Sequence, residues 1–161
     1  MMKILVSACL LGEAVRYDGR SSPVDWIQTL AAQHELISFC PEVEGGLPVP
    51  REAAELTRDA RLVLETGGGG VLTKTGSDVT EAFVTGARAA LVCCRKYGVT
   101  VALLKERSPS CGSHAVYDGS HTGRLIPGAG LTATLLEENG IKVFSENDRD
   151  QLQQFASSSK E

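Results

Sequence analysis

The chain has 161 residues, 42% of them hydrophobic and 22% charged, with a formal net charge of -4. That length suits one ordinary domain with a real core, and the composition is that of a globular protein. The acidic balance argues against a dedicated nucleic-acid or anionic-membrane binder, because either needs a basic face.

Lys3 to Ala8 is a short continuous apolar run, the pattern of a central parallel strand. "VSAC" before Cys9 imitates a lipoprotein cleavage site, but the apolar run from Ile4 is shorter than the roughly 7–15 residues a signal needs. In "SSPVDWIQTLAAQ" Ser22 can cap a helix, Pro23 suits its first turn, and Trp26, Ile27, Leu30 and Ala31 recur at helical spacing. "ELISFC" is a second strand ending at Cys40. "RLVLE" and "VLTKT" flank "TGGGG" and read as a hairpin with a glycine turn. Asp78, with Glu81 three residues on, opens a long helix through Tyr97. "VTVALL" is the next strand, "AGLTATLLEEN" a helix stopped near Gly140, and "IKVFSE" a last strand. Asp148 to Phe155 is a final helix, and "SSSKE" a frayed tail. There is no repeat and no linker, so residues 1–161 read as one domain. Alternating strands and helices with short connections predict an α/β fold: a mainly parallel, Rossmann-like sheet flanked by helices, plus a β-hairpin.

Ligands of such sheets bind beyond the carboxyl ends of the strands. Cys9 follows the first strand, Cys40 ends the second, and Cys111 follows "VTVALL" by a short loop. Three of the five cysteines therefore converge on one edge, whereas Cys93 and Cys94 sit within the long helix as packing residues. With thiols kept reduced in the cytoplasm, the expected location, clustered cysteines point to metal or catalysis. Three thiolates can hold zinc or an iron–sulfur cluster. The sequence has no CxxC pair, the usual mark of structural zinc, and three single cysteines on three loops suit a larger object. Each cysteine taken alone reads equally well as a small core residue.

Polar residues accompany the thiols. "CPEVEGGLPVPRE" places Glu42 beside Cys40, where a carboxylate can carry a proton, although a solvated loop carboxylate fits as well. Ser108 and Ser110 flank Pro109, and either can bond a substrate or close a turn. A Tyr-Asp-Gly turn occurs twice, at Tyr17 and Tyr117. His114 reads as a hydrogen-bonding loop residue, and Arg51 as a helix-start residue able to touch an anion or pair with Glu55. "GGGGVLTKTGS" is not a phosphate-binding P-loop, because Lys74 follows threonine rather than glycine.

These stretches together resemble the DUF523 family, which includes thiouracil desulfurases. The matching segments are "KILVSACLLG", "RYDG", "CPEVEGGLPVPR", "SPSCG", "YDG" and "GLTATLLEENGIKVFSE", in order over nearly the whole chain. The resemblance implies a [4Fe-4S] cluster on Cys9, Cys40 and Cys111, with Glu42 as acid/base carboxylate and Ser108 as substrate-side hydroxyl. It implies removal of sulfur from 2-thiouracil-type bases by a non-redox route, giving the oxo base and sulfide. Two positions depart: Val15 stands where many relatives have cysteine, and Ala53 where relatives often have proline. The length leaves no room for the second domain of longer RNA-acting relatives, so a free thiolated base or nucleoside is the expected partner. The alternatives are a non-catalytic metal- or cluster-binding redox-sensing module and a cluster-free nucleotide-binding domain.

Overall fold

The computed structural model of the protein describes residues 1–158. In chain order the elements are β1 Lys3–Ser7, α1 Ile27–Gln33, β2 Glu35–Phe39, α2 Pro41–Glu44, β3 Ala54–Leu56, α3 Ala60–Thr66 and β4 Val71–Thr73. Then follow α4 Thr80–Tyr97, β5 Val101–Leu104, β6 Ala115–Tyr117, β7 Leu125–Pro127, α5 Leu131–Glu138, β8 Lys142–Ser145 and α6 Arg149–Ser158.

Four strands form a parallel sheet in the order β2-β1-β5-β8. Ile4, Leu5 and Val6 are all fully buried, because β1 has a strand on each side and helices on both faces. Ile4 and Val6 pack with Ile27 and Leu30 of α1 and Leu152 of α6. Leu5 points the other way, to Ala90 and Cys94 of α4 and Leu136 of α5. β5 repeats the alternation, with Val101 and Leu103 on the first face and Ala102 and Leu104 on the second. Each such large side chain contributes roughly 1.5–3 kcal/mol of burial. The unbroken apolar run is thus the signature of a strand with no solvent face.

The chain steps from β1 to β2 on one side, then returns across β1 to β5. That reversal opens a crevice beyond the carboxyl ends of β1 and β5. The Ser7 hydroxyl accepts the Lys105 N–H at 2.9 Å and joins the two strand ends.

Three expectations need correction. "RLVLE" is not a hairpin arm but lies in α3, whose start is capped by Asp59 accepting from the Arg61 N–H at 2.9 Å. Ala60 and Val63, three apart, turn into a small core with Val71 and Phe83, which is helical spacing. The partner of β4 is instead β3, antiparallel, and the hairpin of the fold is β6–β7. Helix α1 starts at Ile27 rather than near Pro23. The Ser22 N–H is drawn to the Cys9 carbonyl at 2.9 Å and the Val24 N–H to that of Leu10 at 3.4 Å, so this segment runs along the Cys9 turn. At the carboxyl end, Ser157 and Ser158 continue α6, and the rest of the expected frayed tail lies outside the described residues. Among the described residues no helix is long and apolar enough to cross a membrane.

Candidate active site

A cavity of about 450 Å³ lies at the crevice, and Cys9, Cys40, Glu42, Ser108 and Cys111 all line it. Cys9 sits in a 3-10 turn, Ala8–Leu11, that follows β1 directly. Cys40 joins β2 to α2. Cys111 lies in the loop between β5 and β6. Cys93 and Cys94 are on α4 away from the lining, and Cys94 is fully buried in the sheet's core. The structure therefore brings together the five residues singled out from sequence and leaves the helical pair out.

The Cys111 turn is fixed by its own backbone. The Ser108 hydroxyl oxygen accepts the N–H of Ser110 at 3.0 Å and of Cys111 at 3.1 Å. The Pro109 carbonyl accepts from Leu131 at 2.9 Å, and that of Ser110 from Thr132 at 2.8 Å and Ala133 at 3.2 Å. These are first-turn donors of α5, which a helix cannot satisfy internally. The loop and the helix start thus complete each other. Below them lies Glu106, buried, with one carboxylate oxygen accepting the N–H groups of Ser113 and His114 at 2.9 Å and Ala115 at 3.2 Å. Its second oxygen meets His114 Nδ1 at 2.7 Å. Burial alone would push this carboxyl up, but the hydrogen bonds from His114, Ala115 and Ser113 outweigh it and hold the pKa down to about 2. The same contact raises His114, a loop-holding residue as its sequence suggested.

The Cys40 side is held by close backbone packing. Short helix α2 rests on α4 where a Cβ on Gly86 would lie 1.9 Å from the Pro41 carbonyl oxygen, and one on Gly45 2.0 Å from that of Ala82. Only glycine allows this approach. Glu42, two residues beyond Cys40, pairs with Arg51 Nε at 3.1 Å. Arg51 sits in an irregular segment, not at a helix start, and its ion pair is with Glu42 rather than Glu55. Its remaining nitrogens donate to the Pro48 carbonyl at 3.1 Å and the Val15 carbonyl at 2.9 Å. The Ser108 hydroxyl points its proton at Glu42, but across 3.4 Å, a long contact that leaves the proton weakly held.

Burial pushes all three cavity thiols up. Cys9 rises to about 11, opposed by the Lys105 ammonium. Cys40 also rises, opposed by the Val43 N–H. Cys111, the most buried, rises too, against the Ser7 hydroxyl, and feels both Cys40 and Cys9. Such thiols are poor free nucleophiles but become thiolate ligands once a metal displaces their protons. Among the described residues no three His, Cys, Asp or Glu side chains are close enough to hold a single metal ion. The three thiols instead surround a space, which fits a polynuclear, thiolate-bound group better than one zinc ion.

Sequence reasoning missed several residues of this cavity: Arg51's role, Lys105, His121, and the two tyrosines, Tyr17 and Tyr117. Lys105 pairs with Glu146 at 2.8 Å, and His121 lies 3.5 Å from Glu55. These partners come from distant loops, so no local spacing announces them. The repeated Tyr-Asp-Gly was the one available signal.

Known proteins resemble this chain along most of its length. The family model for 2-thiouracil desulfurase matches residues 4–148. The uncharacterized protein YbbK of Bacillus subtilis (strain 168) is 39% identical over 145 residues, covering 90% of this chain and 96% of that protein. A solved structure of TudS, a [4Fe-4S]-dependent thiouracil desulfidase, superposes with a TM-score of 0.87 at 45% identity, covering 98% of this chain and 99% of the other. With the same α/β architecture and a match through every loop that builds the cavity, the chain belongs to the 2-thiouracil desulfurase family.

Proposed function

We propose that the protein is a [4Fe-4S]-dependent desulfidase that converts 2-thiouracil-type bases to the oxo base without net redox change. The observation that carries this reading is the convergence of three thiols, Cys9 and Cys111 buried and Cys40 half-buried, with the Glu42–Ser108 pair on one cavity. The three cysteines would hold the cluster, and three ligands for four irons leave one iron without a protein ligand. When bound, the cluster supplies a soft Lewis acid suited to a thiocarbonyl sulfur. Val15 lines the cavity and offers no fourth thiol.

The rest of the reaction falls to side chains. Water adds to the carbon that bears sulfur, and Glu42 takes the proton that water loses. The C–S bond breaks, and sulfur departs as sulfide with protons from water and Glu42. The balance is thiocarbonyl plus water giving carbonyl plus hydrogen sulfide. Arg51 fixes the direction in which Glu42 presents its oxygens. The weakly held Ser108 proton is free to turn to a polar atom of the base. The substrate is a free thiolated base or nucleoside, and the reduced thiols suit the cytoplasm.

Anaerobic reconstitution followed by assay with 2-thiouracil tests this. Wild type should show thiolate–iron absorption and release sulfide. Glu42→Gln should keep iron and spectrum but lose turnover about 10²–10⁴-fold, the usual share of general acid–base catalysis. A loaded wild type that releases no sulfide from any thiolated base would support a cluster-binding sensor instead. Near-normal turnover in loaded Glu42→Gln would remove that residue from the chemistry.

A further inference from the structure

The steps above leave the two Tyr-Asp-Gly turns unused, Tyr17-Asp18-Gly19 and Tyr117-Asp118-Gly119. The turns are built alike. In each, the aspartate carboxylate accepts the N–H two residues on, from Arg20 at 3.0 Å and from Ser120 at 2.9 Å. In each, the glycine is left-handed, with φ of 76° at Gly19 and 94° at Gly119, where a side chain would be strained.

Separate anchors bring them to one place. The Tyr17 carbonyl accepts the Arg51 N–H at 2.7 Å, which ties the first turn to the arm holding Glu42. The buried Glu55 carboxylate accepts the N–H of Gly119 at 2.9 Å and of His121 at 3.2 Å, which ties the second turn to β3. Val116 is buried in the core, so Tyr117, next along β6, faces the opposite way. Both tyrosines line the cavity shared by Cys9, Cys40 and Cys111.

Neither ring has a role in the packing described above. Tyr17 is 43% exposed, and neither tyrosine belongs to a core cluster. Neither phenolic oxygen makes a hydrogen bond to the protein among the described residues. The Arg16 guanidinium lies 5.9 Å from the Tyr17 ring centre and packs over one face. A tyrosine at a cavity wall offers a flat apolar surface with few rotatable bonds to fix. A planar heterocycle is the ligand that gains most from such surfaces, because stacking uses the whole ring.

We propose that Tyr17 and Tyr117 form an aromatic wall on which the ring of the substrate base stacks while its sulfur faces the cysteines. This rests on the desulfidase reading. It makes the tyrosines specificity-determining residues: the cavity selects flat heteroaromatic thiocarbonyls over acyclic ones.

The test uses cluster-loaded protein with Tyr17→Leu, Tyr117→Leu and Tyr117→Phe. Equilibrium binding of uracil, the oxo product, is measured by calorimetry, together with KM and kcat for 2-thiouracil and the iron content of each sample. Each leucine variant should bind uracil about 5- to 100-fold more weakly, the range for losing one base–aromatic stack. KM should rise more than kcat falls, and iron content and visible spectrum should stay at wild-type values. Tyr117→Phe, which keeps the ring, should stay within about 3-fold of wild type. Unchanged uracil binding in both leucine variants would overturn the wall, as would a phenylalanine variant as weak as leucine, which would assign the hydroxyl instead. Loss of iron in the leucine variants would also overturn it, by making the tyrosines supports of the cysteine loops. A loaded wild type that neither binds uracil nor desulfurises 2-thiouracil would overturn the desulfidase reading and take the wall with it, an outcome separate from the other three.

Discussion

Arg51 shows what one side chain can organise. Its side chain, 6% exposed, joins Glu42 of α2 to the backbone at Pro48, in its own segment, and at Val15, in the loop after β1. A lysine would keep the charge but not the fork. Replacing Cys9, Cys40 or Cys111 singly by serine should remove most bound iron and all desulfidase activity. Cys93→Ala should retain both, and Cys94→Ala should retain iron while costing stability, since Cys94 is fully buried. Iron per chain, measured on the same preparations, decides between these outcomes. Glu106 carries a different expectation, in pH. Its folded carboxyl is held down to about 2, below the ordinary value. The stability it contributes is therefore complete above its unfolded pKa and lost as pH falls through the folded one, up to about 3 kcal/mol. His114 runs the other way: raised by Glu106, it contributes below its unfolded pKa and loses that as pH rises through the folded value. Urea unfolding of wild type and Glu106→Gln should thus differ most near about pH 5–6 and converge toward about pH 2. A constant gap across that range would show that Glu106 acts by shape rather than charge.

At the scale of elements, α2 is a four-residue helix that carries Glu42 and begins directly after Cys40. Its seat on α4 depends on Gly86, so Gly86→Ala should push α2 outward and lower iron retention and turnover together. Gly98→Ala is the control. It sits at the other end of α4 in the left-handed region, φ 67°, and should cost about 1 kcal/mol or more without touching the cavity. If both variants lose stability equally and keep iron, α2 does not depend on that glycine. The elements legible in the sequence were those with one dominant instruction. β1 and β5 are apolar without interruption, and Cys9 and Cys40 follow strand ends closely while Cys111 follows by a short loop, so their edge could be inferred. "RLVLE" was misread because five apolar-rich residues do not separate a strand from a helix turn. The start of α1 was misread because Ser22 spends its N–H on the Cys9 turn and its hydroxyl on Arg16, a tertiary demand that overrides local capping preference. The Glu42–Arg51 pair spans nine residues of mostly irregular chain, which carry no periodicity to fix their spacing, and the two tyrosines come from segments a hundred residues apart, with only the repeated Tyr-Asp-Gly to hint at them.

Taken whole, the molecule places its chemistry where four parallel strands end and its two apolar cores on either side of that sheet. A group that binds three loops of the native state and none of the unfolded chain stabilises the fold by mass action. Cluster loading should raise Tm by several degrees, and anaerobic chelation should return it to the apo value. Cys40→Ser protein, treated identically, should show no such shift in a calorimeter. The contact between Ser7 and Lys105 has a consequence for how the protein is made. The two residues lie 98 positions apart, and the cavity has no second side until they meet. On the ribosome the loops of Cys9 and Cys40 emerge long before β5 does, and a growing chain halted ahead of Val101 has two thiols facing an unfinished wall. The three-cysteine site is therefore complete only once the last third of the chain has been made and Cys111 has joined Cys9 and Cys40.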